Sequence, residues 1–395
     1  MKKRKLFYKV EKYLDHKNAI VVTGIRQVGK TTLLKQLFDH VKSDYKVWFD
    51  LDNPLDQLLF ENTDYHAIYR ELVTIVKSGE ERLFIFLDEI QNLPAITRVM
   101  KFLIDHYQVK FVVTGSSSFY LRNLFPESLS GRKFLFYLPP LSFQEALYFH
   151  NKVDLDQLLS NELNDVLKQQ SLYHYKKQSE EYLRYLQFGG FPEVVTTVDD
   201  DLKKMVLKNI FSSFFEKDLR LLSDFREIRE LRDLIRLLAP RVGSMLDITR
   251  IASELSVDRK KIYAFLDFLQ GTYFIHLLPK YAKGIDRSVA GGKKVYFSDN
   301  GILNLLGPIT ESQLLENAVI NQLAIYGELS FYNYRNTSEI DCILDKKIAF
   351  EIKQTGTEHD YKKLSKLTDK LGIRKKYIIS QNFRDMYGIV YPQFL

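Results

Sequence analysis

Residues 24–32, GIRQVGKTT, have the types and spacing of a phosphate-binding loop. The pattern G-x-x-x-x-G-K-(S/T) follows an apolar run and opens a stretch with helical apolar spacing. Glycines let the backbone approach phosphates, and N–H groups at a helix N-terminus form an anion site. We therefore predict that Lys30 reaches the β and γ phosphates of a nucleotide and that the Thr31 hydroxyl binds Mg²⁺. The residues predicted to contact the nucleotide are Gly24, Ile25, Arg26, Gln27, Val28, Gly29, Lys30, Thr31 and Thr32.

A pair of acids, Asp88 and Glu89, ends the apolar run LFIFLDEIQ (83–91). Adjacent acids at the end of an apolar strand are hard to explain by packing. We predict that Asp88 holds Mg²⁺ through water and that Glu89 orients or deprotonates the attacking water. A pair that caps the next helix is the alternative.

Two further segments could complete this site. The apolar run VKFVVTGSS (109–117) ends in hydroxyl residues, of which Thr114, Ser116 or Ser117 could sense the γ-phosphate. Arg132, in SGRKF (130–134), is a candidate cationic finger that stabilises transition-state charge. Serines at a strand end are common, and a surface arginine is the alternative for Arg132.

The segment IDCILDKKIAFEIK (340–353) predicts two short strands joined by a polar turn. A hairpin centred on Lys346 places Asp341 directly across from Glu351, with carboxylates whose Cβ atoms lie about 5 Å apart. Lys353 then lies beside Glu351 on the same face, because side chains two residues apart in a strand share a face.

Two opposed carboxylates of this kind suggest a shared divalent cation that cancels their repulsion. In that hypothesis Asp341 and Glu351 bind the metal, and Lys353 positions a hydroxide or stabilises phosphate charge. Glu316 is expected to join them, because it lies on the apolar stripe of an upstream helix (312–323); Gln354 could also touch the site. The alternative is a hairpin with a wetted polar face, and a one-residue slip in register would separate the acids.

The elements that must position these residues follow from the apolar patterning. Residues 20–140 alternate apolar strands with helices, which predicts an α/β domain with a mainly parallel sheet covered on both faces. Residues 144–235 read as mostly helical and polar. From residue 313 the pattern is a helix, the hairpin, another helix and the strand KKYIISQN (375–382).

Residues 247–281 predict a helix, a short turn and a second helix. Arg259, Lys260 and Lys261 start the second helix, where DNA-reading helices make their contacts. The segments FIHLLPKY and KKVYFSD (293–299) would form a wing hairpin. The residues in or near its loop are Lys283, Arg287, Lys293 and Lys294. Protein contact with a solvated basic face is the alternative.

Composition narrows the class of protein. The chain has 395 residues, with 45% hydrophobic and 27% charged residues, as in soluble globular proteins. No apolar run is long enough to span a bilayer, no secretory leader is evident, and the single Cys342 excludes an internal disulfide. We expect a cytoplasmic protein. The net charge is +7, and residues 236–300 hold eleven Lys and Arg against six Asp and Glu, which is compatible with nucleic acid.

These motifs, with PLSFQEAL and FGGFPEVV (188–195), resemble the AAA-type ATPases of bacteria and archaea that carry a C-terminal domain of unknown function. The resemblance implies four parts: a P-loop ATPase domain (1–145), a helical lid or linker (146–235), a winged helix (236–305) and a restriction-endonuclease-like α/β domain (306–395). In the last part, Asp341, Glu351 and Lys353 fit the D…E-x-K pattern of PD-(D/E)XK nucleases. The resemblance also implies a homo-oligomer, with Arg132 acting either in cis or in trans.

The sequence thus predicts Mg²⁺-dependent ATP binding and hydrolysis coupled to nucleic acid, with DNA favoured over RNA. Metal-dependent cleavage by the C-terminal domain is part of this hypothesis. The alternative is a nucleotide-gated switch whose C-terminal domain recruits another protein and cuts nothing. A kinase that uses the same loop is disfavoured, since no acceptor site is evident and Asp88-Glu89 favours water as the nucleophile.

Overall fold

The structure is a computed structural model that consists of two compact units. The first unit holds residues 1–139 and 271–273, and the second holds residues 140–270 and 274–395. The structure describes residues 2–76, 82–115, 129, 131–160, 162–168, 171–218, 225–282, 291–334 and 338–395. No helix among these residues is both long and apolar enough to cross a membrane.

A five-stranded parallel sheet forms the centre of the first unit. Its strands are β1 (Ala19–Thr23), β2 (Lys46–Asp50), β3 (Phe84–Asp88), β4 (Lys110–Gly115) and β5 (Lys133–Tyr137). They lie in the order β2-β3-β4-β1-β5, and every neighbouring pair is parallel. All residues of β1, β3 and β4 are buried, as expected for parallel strands covered on both faces. The predicted α/β fold with a parallel sheet is therefore confirmed.

Helices cover this sheet because their apolar residues recur at helical spacing. They are α1 (Lys5–Val10), α2 (Lys30–His40), α3 (Pro54–Leu58), α4 (Tyr65–Ile75) and α5 (Ile96–Tyr107). On one face, Leu72 of α4 and Leu103 of α5 pack with Val21 and Ile85 of the sheet. Helix α2, which follows the phosphate loop, packs against β3 and β4.

The second unit begins with a helical region. Its helices are α6 (Phe143–Phe149), α7 (Leu155–Ser160), α8 (Leu163–Val166), α9 (Leu172–Phe188), α10 (Pro192–Thr196) and α11 (Asp200–Ser213). Between α9 and α10, the Gly190 N–H donates to the buried Asp299 carboxylate at 2.7 Å, and a Cβ on Gly190 would lie 2.1 Å from the Leu141 carbonyl oxygen. Only glycine fits there, which explains the break in the segment FGGFPEVV.

Three helices and a hairpin follow. They are α12 (Phe225–Leu238), α13 (Ile248–Leu255), α14 (Arg259–Gly271), β6 (Ile275–Pro279) and β7 (Lys293–Phe297). Asp247 caps the N-terminus of α13, where its side chain accepts the Arg250 N–H. Ser256 caps the C-terminus in the left-handed conformation. Strands β6 and β7 are antiparallel. The element order is the one predicted for residues 247–299.

A mixed sheet completes the second unit. The elements are α15 (Asn300–Leu305), α16 (Glu311–Leu323), β8 (Leu329–Tyr334), β9 (Ser338–Leu344), β10 (Ile348–Lys353), α17 (Glu358–Leu371), β11 (Lys375–Ser380) and β12 (Ile389–Val390). The strand order is β12-β11-β10-β9-β8. Strands β8, β9 and β10 are antiparallel, whereas β10, β11 and β12 are parallel. Helix α17 is therefore the crossover between β10 and β11.

Candidate functional site

The phosphate loop lies between β1 and α2, as predicted. A Cβ on Gly24 would lie 2.2 Å from the Leu138 carbonyl oxygen, so the loop can pass this point only with glycine. Gly29 has φ of 92°, in the left-handed region that glycine adopts at least cost. Both glycines of the motif are thus required by the backbone that leads into the first turn of α2.

Lys30 occupies the inside of this loop. Its ammonium donates to the carbonyl oxygens of Gly24 at 3.0 Å and Ile25 at 3.1 Å, and only 5% of the residue is exposed. A buried cation next to backbone N–H groups at a helix N-terminus attracts phosphate oxygens. Lys30 therefore lies inside the loop at the start of α2, and its contact with phosphate stays a prediction.

Three strand ends meet at Asp88. Because β4 lies between β1 and β3, Thr114 at the end of β4 stands between the phosphate loop and the acids that end β3. The Thr114 hydroxyl donates to the Asp88 carboxylate and accepts the Glu89 N–H at 3.2 Å. Burial raises the pKa of Asp88, while hydrogen bonds from Thr114 and Thr31 lower it. The predicted magnesium ligands, Thr31 and Asp88, are therefore in direct contact.

This pair fits Mg²⁺, which prefers oxygen ligands such as a carboxylate and the hydroxyl of a phosphate loop. Thr31 and Asp88 would hold the ion, which neutralises charge that develops on phosphate oxygens when it is bound. Asp50, at the end of β2, lies beside Asp88 in the sheet and raises the pKa of Asp88 through its charge. Sequence analysis did not include Asp50 in the site, because only the strand order brings it there.

Glu89 adopts an unusual backbone conformation, with φ of 55° and ψ of 49°. Such a conformation is uncommon for a residue other than glycine, and it turns the chain sharply at the end of β3. The Gln91 side chain donates to the Glu89 carboxylate. The sharp turn separates Glu89 from Asp88, so the two acids have different surroundings.

Arg4 supports the loop and was missed by sequence analysis. Its guanidinium donates to the carbonyl oxygens of Val28 at 3.2 Å and Pro139 at 2.9 Å, and only 5% of the residue is exposed. The sequence carries no signal for this contact, since Arg4 lies in the basic run MKKRK near the N-terminus.

Arg132 does not lie beside the phosphate loop of its own subunit. Its carbonyl accepts the Ala19 N–H, so it lies at the amino end of β1 and β5, whereas the loop follows the carboxyl end of β1. Its guanidinium is bonded to Asp105 at 2.6 Å. This placement argues against a role for Arg132 at the phosphate loop of its own subunit, in cis. A role at the loop of another subunit, in trans, stays a prediction. Ser116 and Ser117, the other two candidate phosphate sensors, lie outside the described residues.

The basic face predicted for α14 is only partly available. Lys261 is paired with Glu230 at 2.5 Å and Glu227 at 3.5 Å of α12. Arg259 and Lys260 are exposed and form no ion pair with any described residue, and Tyr263 is 60% exposed beside them. Lys283 and Arg287 of the predicted wing lie outside the described residues.

The register of the β9–β10 hairpin is the one that the sequence predicts. Leu344 pairs with Ile348 and Cys342 pairs with Phe350, so Asp341 and Glu351 lie just beyond the last pair of the ladder. Asp345 and Lys346 both have positive φ, and the Lys347 N–H donates to the Leu344 carbonyl. This is the mirror-image turn geometry that suits the twist of a hairpin.

Around this pair the structure gathers a group of charges that we call the acid cluster: Glu316, Glu339, Asp341, Glu351, Lys294 and Lys353. Asp341 accepts the Ile352 N–H at 2.8 Å, and Glu351 is paired with Lys353 at 2.8 Å. Burial and the charge of Asp341 raise the pKa of Glu316 and of Glu351 to about 7. The three predicted carboxylates thus act on one another electrostatically.

Lys294 belongs to this cluster and not to the wing surface, which corrects the sequence analysis. It is 3% exposed, its ammonium lies 3.6 Å from Glu316, and it is also bonded to Glu339. Tyr296, two residues along β7, donates its hydroxyl to Glu316 at 2.7 Å. Strand β7 therefore brings a cation and a hydrogen-bond donor to the carboxylates of the C-terminal sheet.

Two carboxylates of the acid cluster, Glu316 and Glu351, are paired with lysines in the structure. Within the described ranges, no group of three or more His, Cys, Asp or Glu side chains is close enough to hold one ion. Lys294 and Lys353 lie against the carboxylates that the sequence assigned as ligands. Gln354 donates to Glu311, at the start of α16, at 3.4 Å. The shared metal ion stays a prediction.

One protein-family model matches the part of the chain that holds the phosphate loop. Residues 16–147 match a family model described as an AAA domain. The parallel sheet and the phosphate loop of the first unit agree with this match. Residues 179–313 and residues 311–389 match two further models, each described as a domain of unknown function.

Whole-chain relatives exist in bacteria and archaea. An uncharacterised protein of Haemophilus influenzae is 26% identical over 363 residues, which cover 86% of this chain and 84% of that protein. An uncharacterised protein of Methanocaldococcus jannaschii is 27% identical over 365 residues, with 88% and 78% covered. The similarity therefore extends over both units of the chain.

Solved structures show only distant similarity. The Aeropyrum pernix Orc1 protein in complex with DNA has 13% identity and a TM-score of 0.29, with 76% of this chain and 90% of that chain covered. Cdc6p from Pyrobaculum aerophilum has 12% identity and a TM-score of 0.27, with 80% and 92% covered. TM-scores of this size do not establish a shared overall fold.

Proposed function

We propose that this protein binds and hydrolyses ATP with Mg²⁺ and couples that cycle to nucleic acid. The observation that carries the proposal is the meeting of Thr31, Asp88 and Thr114 directly behind a buried lysine. In this arrangement Lys30, the candidate phosphate contact, precedes Thr31, which is bonded to Asp88. Thr31 and Asp88 are the candidate metal ligands, and Asp88 directly precedes Glu89, the candidate base. An ordinary glycine turn has no need of these contacts.

The residues have separate tasks in this proposal. Lys30 and the loop N–H groups bind the phosphates and stabilise the charge that develops as the terminal phosphoryl group is transferred. Glu89 orients the attacking water and accepts its proton. Thr114 holds Asp88 and the Glu89 backbone in fixed relation, so that the base and the metal ligand keep their positions.

Two substitutions test the ATPase. Lys30→Ala should weaken ATP binding about ten- to a hundredfold, because one charged hydrogen-bond donor contributes about 1.5–3 kcal/mol. Glu89→Gln should bind ATP but not turn it over, since glutamine cannot accept the proton. Binding is measured by calorimetry with Mg²⁺ and ATP, and turnover by phosphate release.

Lys35→Ala is the matched control, because Lys35 is exposed on the same helix. It should leave binding and turnover unchanged. Normal turnover in Glu89→Gln would exclude the assigned role of Glu89. No ATP binding by the wild-type chain would exclude the ATPase as a whole.

Coupling to nucleic acid rests on the exposed Arg259, Lys260 and Tyr263 of α14. A helix that follows a short turn and is exposed on its basic face has the form of a DNA-reading helix. Arginine and lysine would contact phosphates, and an exposed tyrosine supplies a stacking surface. We propose DNA rather than RNA as the partner.

For the C-terminal domain we carry two candidates. The position of Asp341 and Glu351 just beyond the hairpin ladder, with Lys353 beside Glu351, supports a Mg²⁺-dependent nuclease. The pairing of Lys294 with Glu316 favours the alternative, a nucleotide-gated switch that recruits another protein without cutting, because that carboxylate is already neutralised.

Cleavage assays on DNA and RNA with Mg²⁺ or Mn²⁺ distinguish these candidates. A nuclease should lose cleavage in both Asp341→Ala and Lys353→Ala, because the first removes a carboxylate and the second the neighbouring cation. Lys347→Ala, in the exposed turn of the same hairpin, should cleave like the wild type. Absent cleavage, or cleavage that both changes leave intact, would exclude the nuclease and favour the switch.

A further inference from the structure

Helix α17 presents an exposed row of lysines. Lys363, Lys366 and Lys370 are three, four and seven residues apart, so they lie along one face of the helix, and all three are exposed. The opposite face buries Leu364, Leu367 and Thr368 against the sheet. We call Lys363, Lys366 and Lys370 the α17 lysine row.

The charge of this row is not neutralised by its neighbours. Two other lysines near α17 are paired: Lys362 lies 3.5 Å from Glu358, and Lys376 lies 2.9 Å from Asp369. In the part of the chain that the structure describes, none of the three lysines of the row has an ion-pair partner. Residues 345–376 hold ten Lys and Arg against five Asp and Glu, an excess of five positive charges. The excess equals that of residues 236–300.

The row begins next to the acid cluster. Helix α17 packs against β9, β10 and β11, and β10 carries Glu351 and Lys353. Lys363 is close enough to act electrostatically on the Glu351 carboxylate. The α17 lysine row therefore runs along the exposed side of α17, with its Lys363 end near the acid cluster.

We propose that the α17 lysine row binds the phosphate backbone of a nucleic acid and directs it to the acid cluster. This inference rests on the proposed coupling to nucleic acid, and it adds a second contact surface to the face of α14. Lysine ammonium groups are point charges without base-reading geometry, so the contact is independent of base sequence. It should depend strongly on salt, because each neutralised phosphate releases counterions.

The test is a salt titration with the full-length chain. Binding of a fluorescent DNA duplex is followed by anisotropy from 50 to 300 mM salt, for the wild type and for the triple variant K363A/K366A/K370A. Three lost phosphate contacts should reduce the slope of log K against log salt by about 2 to 3. Replacement of the same residues by arginine, K363R/K366R/K370R, should keep the wild-type slope.

The matched control is K176A/K177A/K208A, which removes three exposed helical lysines of α9 and α11 and the same net charge. It should keep the wild-type slope. Wild-type binding with an unchanged slope in the α17 variant would overturn the inference alone, and so would an equal loss in the control. If the wild type binds no nucleic acid at 50 mM salt, the proposed coupling fails together with the inference.

Discussion

Thr114 is a small residue with a large influence on the nucleotide site. Its hydroxyl donates to Asp88 and accepts the Glu89 N–H, so one side chain links the proposed metal ligand to the proposed base. Because Asp88 is 3% exposed, burial disfavours its charged form, and the Thr114 hydrogen bond opposes that effect. The ionisation of Asp88 therefore depends on Thr114.

Thr114→Val should make hydrolysis weaker and more sensitive to acid. The loss of a hydrogen bond to a charged group, about 1.5–3 kcal/mol, predicts turnover about ten- to a hundredfold lower. The pKa of Asp88 should rise further without this bond, so the acid limb of turnover should move to higher pH. Turnover measured across the pH range checks this. Thr74→Val, on the exposed part of α4, is the control; an acid limb at the wild-type pH in Thr114→Val would contradict the argument.

At the scale of elements, strand β7 has two tasks. It pairs with β6 in the hairpin after α14, and it contributes Lys294 and Tyr296 to the acid cluster. Lys294 is buried, so its charge is compensated only by carboxylates such as Glu316 and Glu339. Burial lowers the pKa of Lys294, whereas the charges of Glu316 and Asp341 raise it. The pKa of Lys294 therefore lies above its ordinary value. The β6–β7 hairpin and the C-terminal sheet are thus joined by the ion pairs of one buried lysine.

Lys294→Ala should destabilise the second unit by about 3 kcal/mol, because it removes a buried cation and the ion pairs that it forms with Glu316 and Glu339. Lys293→Ala, its exposed neighbour, should change stability by less than about 0.5 kcal/mol. Urea unfolding followed by circular dichroism measures the difference. Equal midpoints for the two variants would show that Lys294 has no such role.

At the scale of the whole molecule, the position of Arg132 bears on assembly. It lies at the amino edge of the parallel sheet, opposite to the phosphate loop, so a phosphate contact by Arg132 would require a second subunit. The resemblance to AAA-type ATPases suggests such a contact. Oligomer formation with ATP, followed by gel filtration, is the simplest indication of it.

Mixing of inactive variants tests the contact directly. Arg132→Ala should bind ATP but turn it over about a thousandfold more slowly, the effect of a lost arginine finger. Mixed with Lys30→Ala, which supplies Arg132 but binds ATP only weakly, it should regain activity. Glu89→Gln mixed with Lys30→Ala should stay inactive, since base and loop belong to one subunit. Mixtures no more active than their separate components would argue against action in trans.

The fold of the first unit and the hairpin register were predictable because their signals are local. A phosphate loop between a strand and a helix, and the alternation of apolar residues about Lys346, depend on the geometry of contiguous backbone. The same holds for Asp88 and Glu89, which end a buried strand. All of these features depend on residues that are close together in the sequence.

The placement of isolated charged residues was decided only by tertiary structure. Lys294 lies in the acid cluster instead of the wing, Arg132 lies at the far edge of its sheet, and Arg4 is buried under the loop. The position of each of these residues depends on which distant segment packs beside it. The residues next to it in the sequence do not indicate that segment. Sequence alone therefore determined the motifs and the strands that carry them, whereas strand order and packing decided which charges meet, because Coulomb interactions and burial depend on distance in space and not along the chain.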